Sequence, residues 1–147
     1  MRPWAFALLL AAMPAAAFAA ETVGVVKTVE GTATVVSGAD RQTIAIGTPI
    51  HQDDVIETGK DGSVGVTFKD NTTISLGPDT SLAIDEFVFA PEQDRLGMKT
   101  RMLQGTMYYV SGTIAKLAPD AVKVATPVGT IGIRGTRFLV KADAAGR

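Results

Sequence analysis

The chain has no cysteine and only one histidine among its 147 residues. Without thiols there are no disulfide staples, no thiolate nucleophile and no cysteine metal cluster, so stability has to come from burial alone. With His51 as the only imidazole, the commonest general base and transition-metal ligand is nearly missing. Aromatic residues make up 6% of the chain, few for a surface that stacks on sugar rings. Charge of one sign is also lacking. Once the first nineteen residues are set aside, thirteen basic residues stand against fifteen acidic ones, a net of −2. That balance gives no electrostatic case for nucleic acid, whose readers carry a basic excess. No later window is apolar enough to span a membrane.

What is present begins with an address. Arg2 supplies a positive start, Trp4 to Met13 is a short apolar run, and Ala17-Phe18-Ala19 places small residues as a signal peptidase requires. The run is shorter than the ~20 residues of a spanning helix. Residues 1–19 are therefore read as a cleaved signal peptide, with a mature chain starting at Ala20 and no cysteine to carry a lipid. An uncleaved anchor is the alternative. The remaining residues, 20–147, suffice for one domain with its own core.

From Glu21 on, short β-type runs rich in Val, Ile, Thr, Phe and Tyr alternate with turn residues. Strands are expected at 23–29, 32–37, 42–46, 54–58, 63–68, 73–76, 81–85, 87–90, 98–103, 106–111, 121–125 and 136–141. Alternation sets Val64, Val66 and Phe68 against Gly65 and Thr67, and recurs at Ile44 and Ile46, Ile74 and Leu76, Val122 and Val124, and Phe138 and Val140. Asp61-Gly62 and Asp70-Asn71 supply residues that tolerate positive φ in tight hairpins, and Ser37-Gly38 and Gly77-Pro78-Asp79 mark other turns. Residues 91–97 read as a loop, and 113–120 as room for one helical turn closed by Pro119. The pattern predicts an all-β single domain of short antiparallel strands and tight glycine turns, built as a β-sandwich or a β-solenoid.

Catalytic patterns are missing. His51-Gln52-Asp53-Asp54 offers one imidazole beside two carboxylates, which reads better as a polar turn before a strand than as half of an acid/base or metal site. No H-E-x-x-H or EF-hand spacing occurs, and no serine sits in G-x-S-x-G or S-x-x-K. A pair of carboxylates at glycosidase separation is not visible in a sequence. The glycine run from Gly129 to Thr136 enters a strand and not a helix, so it does not make a phosphate loop; it marks chain reversals or close backbone approach. No catalytic residue, cofactor or metal is expected.

Several ordered segments resemble the FecR domain family: Val29 to Val35, Ile46 to Ile50, Asp53 to Gly59, Gly62 to Thr72, Leu76 to Pro78, Leu103 to Thr106, and above all Ala125 to Phe138. The resemblance implies an all-β domain outside the cytoplasmic membrane, found in iron-uptake signal transducers and in stand-alone exported proteins. This chain shows neither the cytoplasmic anti-sigma segment nor the membrane helix of the transducers, so their signalling role is not carried over. What the resemblance leaves is contact with another protein, here another envelope protein, in the periplasm or after secretion.

The leading expectation is thus a non-enzymatic interaction or scaffolding module of envelope sensing, with a cell-wall or glycan binder and a membrane-tethered regulator as alternatives. The candidate interaction or structural residues are Thr126, Pro127, Arg134, Gly135 and Thr136 in the glycine-rich run, and the neighbourhood of Tyr108 and Tyr109. Arg134 carries five donors that either tie neighbouring loops together or face an acidic partner.

Overall fold

The computed structural model describes residues 20–133 and 136–143; the expected signal peptide and the candidate residues Arg134 and Gly135 lie outside the described residues. The chain forms β1 (Thr22–Glu30), β2 (Ala33–Ser37), β3 (Asp40–Thr43), β4 (Pro49–His51), β5 (Val55–Thr58), β6 (Ser63–Phe68), β7 (Thr73–Leu76), β8 (Ser81–Ala90) and β9 (Arg95–Val110). A short helix, α1 (Thr113–Leu117), precedes β10 (Val122–Thr126), β11 (Gly129–Gly132) and β12 (Arg137–Ala142). The all-β expectation holds.

The strands make one sheet curled into a half-barrel of two leaves. One leaf runs β3-β2-β5-β8-β9-β10-β11 and the other β4-β1-β6-β7-β9-β12. Strand β9 belongs to both. Its residues Arg95 to Gln104 pair with β8, and Gly105 to Val110 pair with β12. The transfer happens at Gly105, which has φ +102 and sits where a Cβ would overlap Thr80. Only glycine fits both the backbone angle and the close approach. The Thr80 hydroxyl accepts the Thr106 N–H at 3.0 Å, so a side chain finishes the hydrogen bonding at the bend.

Alternation along these strands builds a single core. Val64, Val66 and Phe68 of β6, Ile74 and Leu76 of β7, Leu82 and Ile84 of β8 and Val122 and Val124 of β10 are all buried in it. Strand β9 lines both walls, with Met98 and Met102 before the bend and Met107 and Tyr109 after it. Truncating one such side chain to alanine costs roughly 2–5 kcal/mol. With no disulfide available, this core carries the fold.

Several sequence expectations change. Residues 81–85 and 87–90 are one strand, with a register shift between Ile84 and Glu86. The acidic pair that looked like a break is a bulge whose carboxylates meet cations of β9: Asp85 with Arg101 and Glu86 with Lys99, both at 3.3 Å. Residues 98–103 and 106–111 are likewise one strand, continuous through Gly105. The third strand ends at Thr43, and Ile46 is 71% exposed and not buried. Strands β4 and β11 were not foreseen, because three residues beginning with Pro49 and a Gly-Thr-Ile-Gly run carry little strand signal.

Gly62 does not adopt positive φ. It is required because a Cβ there would run into the Thr32 carbonyl oxygen and the Gly59 nitrogen. Asn71 does lie at φ 68, as its turn demands. Among the described residues every ladder but one is antiparallel, the exception being β9 with β10. Antiparallel pairing is not that of stacked solenoid coils, whose successive turns pair in parallel, and one curled half-barrel sheet stands in place of the two separate sheets of a sandwich.

The leaves meet along two seams. At the first, residues 44–48 cross from β3 to β4 and bond to both leaves. Ile44 N–H donates to Ala33 O at 2.9 Å, Gly47 N–H donates to Val26 O at 2.8 Å, and Val26 N–H donates to Thr48 O at 3.0 Å. Ile44 and Ile50 plug the space beneath. At the second seam, β11 and β12 end the two leaves.

Candidate functional site

Among the described residues, the cluster with catalytic composition surrounds His51. Asp54 is 2% exposed; its Oδ1 accepts the Ser37 hydroxyl at 2.5 Å, and its Oδ2 accepts the His51 N–H at 2.8 Å and lies 3.4 Å from His51 Nδ1. Serine, histidine and aspartate are together, yet Ser37 donates to the carboxylate and not to the imidazole. In a Ser-His-Asp triad the imidazole stands between the hydroxyl and the carboxylate, whereas here the hydroxyl and the imidazole each meet Asp54 separately. Asp54 is the anchor of the turn between β4 and β5, in which Asp53 takes φ 71. Among the described residues, no group of three or more His, Cys, Asp or Glu is placed to hold a metal ion.

A second buried carboxylate is also structural. Asp70 accepts Thr72 N–H at 3.0 Å, the Thr72 hydroxyl at 2.8 Å and Ile114 N–H at 3.1 Å. It thereby ties the turn between β6 and β7 to the first turn of α1. Gly112 permits this approach, since a Cβ there would overlap Asp70 and Thr72 backbone atoms.

The residues singled out in the glycine-rich run separate by role. The Thr126 hydroxyl donates to Gly129 O at 2.8 Å and closes the hairpin of β10 and β11. Pro127 and Val128 form its two-residue tip, and Val128 is 98% exposed. Thr136 is exposed, and its carbonyl accepts Ser111 N–H at 2.8 Å, which starts the pairing of β12 with β9. The two tyrosines diverge, as neighbours on a strand must. Tyr109 is buried, stacks on Phe138 with ring centroids 4.7 Å apart, and donates its hydroxyl to Met98 S at 3.2 Å. Burial pushes its phenol well above the ordinary tyrosine value, Asp70 adding to the effect and a Thr72 hydrogen bond opposing it. Tyr109 is a core residue. Tyr108 points outward, opposite Ser75 of β7 on one side and Leu139 of β12 on the other.

The second seam is where these elements converge. Strand β11 pairs only with β10, and β12 pairs only with β9 among the described residues, so each leaf ends here in an unpaired edge. Between the edges lies a groove of ≈ 250 Å³ lined by Ile131, Gly132, Ile133, Phe138, Leu139 and Val140. Ile131 stands opposite buried Val124 and faces inward, yet remains 39% exposed. Leu139 is 67% exposed on the outer face beside Tyr108. A larger hollow of ≈ 450 Å³ follows the bend of β9, but it is polar and partly satisfied internally, with Gln104 Nε2 donating to Asp79 O at 3.1 Å.

Sequence reasoning missed Ile131 and Leu139, and it missed a signal that near-neutral net charge conceals. Residues 20–94 hold thirteen acidic and four basic residues, whereas residues 95–147 hold two acidic and nine basic ones. The half of the chain that builds the open seam is the basic half, as counting charge by segment shows.

A family model described as FecR protein matches residues 54–146. The match begins at β5, so the segments Val29 to Val35 and Ile46 to Ile50 lie before it, while β11 and β12 lie inside it. No curated protein and no solved structure matches the chain.

Proposed function

The chain belongs to the FecR protein family, and from that premise we propose that it is a non-enzymatic interaction module of the cell envelope, exported by a cleaved N-terminal signal, that binds another protein at the seam between β11 and β12. One observation carries this reading: two strand edges, unpaired among the described residues, flank an apolar groove within the span the family model matches. Unpaired edges beside exposed apolar side chains are the usual form of a surface that awaits a partner. The His51 geometry, in which hydroxyl and imidazole both meet Asp54 and do not form a triad, supports binding over catalysis. Export is supported by the pattern of residues 1–19 and by the location the family resemblance implies. A sugar-binding role has less support, since Tyr108 is the one exposed aromatic among the described residues.

The test is a photo-crosslinking side chain placed at Leu139 and, as a control, at Gln42 of β3, in cells that export the protein. The reading expects an adduct with another envelope protein from position 139 and none from position 42. Intact mass of the exported product checks the leader, with a chain starting at or beside Ala20 as the expected result. Adducts from 42 alone, or a product retaining Trp4, would count against the corresponding part.

A further inference from the structure

Strand β12 is patterned on both faces. Phe138, Val140 and Ala142 face inward, and Arg137, Leu139 and Lys141 are exposed on the outer face. On β9 the outer three stand opposite Val110, Tyr108 and Thr106, none of which carries charge. Among the described residues neither Arg137 nor Lys141 has an ion pair, whereas Lys99 and Arg101 earlier on β9 each meet a carboxylate of β8. Lys123 of β10, exposed opposite Gly132, is also without one. The open edge therefore presents cation, leucine, cation along its outer face and an apolar groove along its inner face.

From this pattern, and resting on the reading of the seam as a protein contact, we propose that the partner docks as an extended strand beside β12 and that this strand carries carboxylates flanking a central apolar residue. Strand addition satisfies the free backbone groups of the edge whatever the sequence added. Selectivity comes from cross-strand neighbours, where opposite charges attract and like charges repel. The complement of Arg137, Leu139 and Lys141 is acid, apolar, acid at alternate positions. The residues between them point inward and need to be aliphatic, to fill the groove beside Ile131 and Phe138. The pattern reads the same in both directions, so parallel and antiparallel approach serve equally. A second copy of this chain is disfavoured at the same edge, because antiparallel pairing of β12 with itself sets Arg137 opposite Lys141.

The experiment titrates the purified exported protein into two labelled peptides, Ser-Glu-Val-Leu-Val-Glu-Ser and Ser-Lys-Val-Leu-Val-Lys-Ser, and follows fluorescence anisotropy. The acid-flanked peptide is expected to bind about tenfold tighter, with the gap narrowing toward about 0.5 M salt. The double variant Arg137→Glu with Lys141→Glu, both exposed, is expected to keep the wild-type urea midpoint and to reverse the preference. Equal binding of the two peptides, binding of neither, or an unreversed preference in a folded double variant would overturn the inference. So would a concentration-dependent dimer that Leu139→Glu abolishes, which points to a second copy. If the position-139 adduct forms in cells while the peptides fail, the acidic-strand inference falls and the seam reading stands. If both fail, the seam reading falls with it.

Discussion

The two seams of the half-barrel solve the same geometric problem differently. Where β3 and β4 end the leaves, the connecting segment bonds to both, Ile44 and Ile50 fill the space beneath, and the edges are blunted. Strand β3 is wholly polar, with Arg41 held 2.7 Å from Glu57, and β4 is three residues long and begins with a proline. Charge, brevity and proline are standard protection against stray strand pairing. Where β11 and β12 end the leaves, β11 is uncharged, Leu139 and Ile131 are exposed, and the groove stays open. The difference teaches that an open edge is not forced by the fold, because the same molecule closes the equivalent edge elsewhere.

The largest effect that sharpens this contrast comes from truncating one isoleucine at each seam. Ile44→Ala, at a site 4% exposed, is expected to lower stability by roughly 2–4 kcal/mol, and Ile131→Ala by less than about 1 kcal/mol. Urea midpoints check both, and equal losses would mean the second seam is as closed as the first.

Next is Gly62→Val, in the acidic half of the chain. The added side chain meets the Thr32 carbonyl and the Gly59 nitrogen, backbone atoms with little freedom to move, so a loss of about 1–3 kcal/mol is expected. Thr67→Ser, at a half-buried site of the neighbouring strand, is expected to lose less.

Tyr109 forms the inner wall beside the open groove through its stack on Phe138. Its folded phenol holds the proton to higher pH than the unfolded chain does, so its contribution is complete below about pH 10 and is lost as pH rises from there toward the raised folded value. Wild-type unfolding free energy should therefore fall faster than that of Tyr109→Phe above about pH 10, by at most about 1.4 kcal/mol per pH unit. Identical alkaline slopes would place the phenol in water.

The smallest effect is a gain. Thr100, on the stretch of β9 that pairs with β10, has a buried hydroxyl with no hydrogen-bond partner. Thr100→Val is expected to raise the unfolding free energy by up to about 1 kcal/mol, read from the urea midpoint, because no bond is lost and a desolvated polar atom is removed.

Much of the fold was legible because its strands alternate. Val64, Val66 and Phe68, Ile74 and Leu76, and Val122 and Val124 are buried as their period of two requires. What the sequence hid were long-range choices. Two expected strand pairs are continuous β8 and β9, since a bulge at Asp85 and a bend at Gly105 resemble ends locally and are defined only by partners elsewhere in the chain. Gly62 was recognisable as indispensable, but the cause is a neighbouring backbone and not a turn angle. For the site, the glycine-rich run was visible while Ile131 and Leu139 were not, because apolar residues in strands read as core until the edge is known to be unpaired. Arg134 and Gly135 lie outside the described residues, so the two readings of Arg134 keep their sequence basis.

The claim that the open seam receives an acid-flanked strand is tested most directly by residue-resolved amide hydrogen exchange of the exported protein, alone and with the acid-flanked peptide. The account predicts that protection rises along the unpaired edge of β12, with β3 and β4 unchanged. Protection that appears at β3, or nowhere, would contradict it.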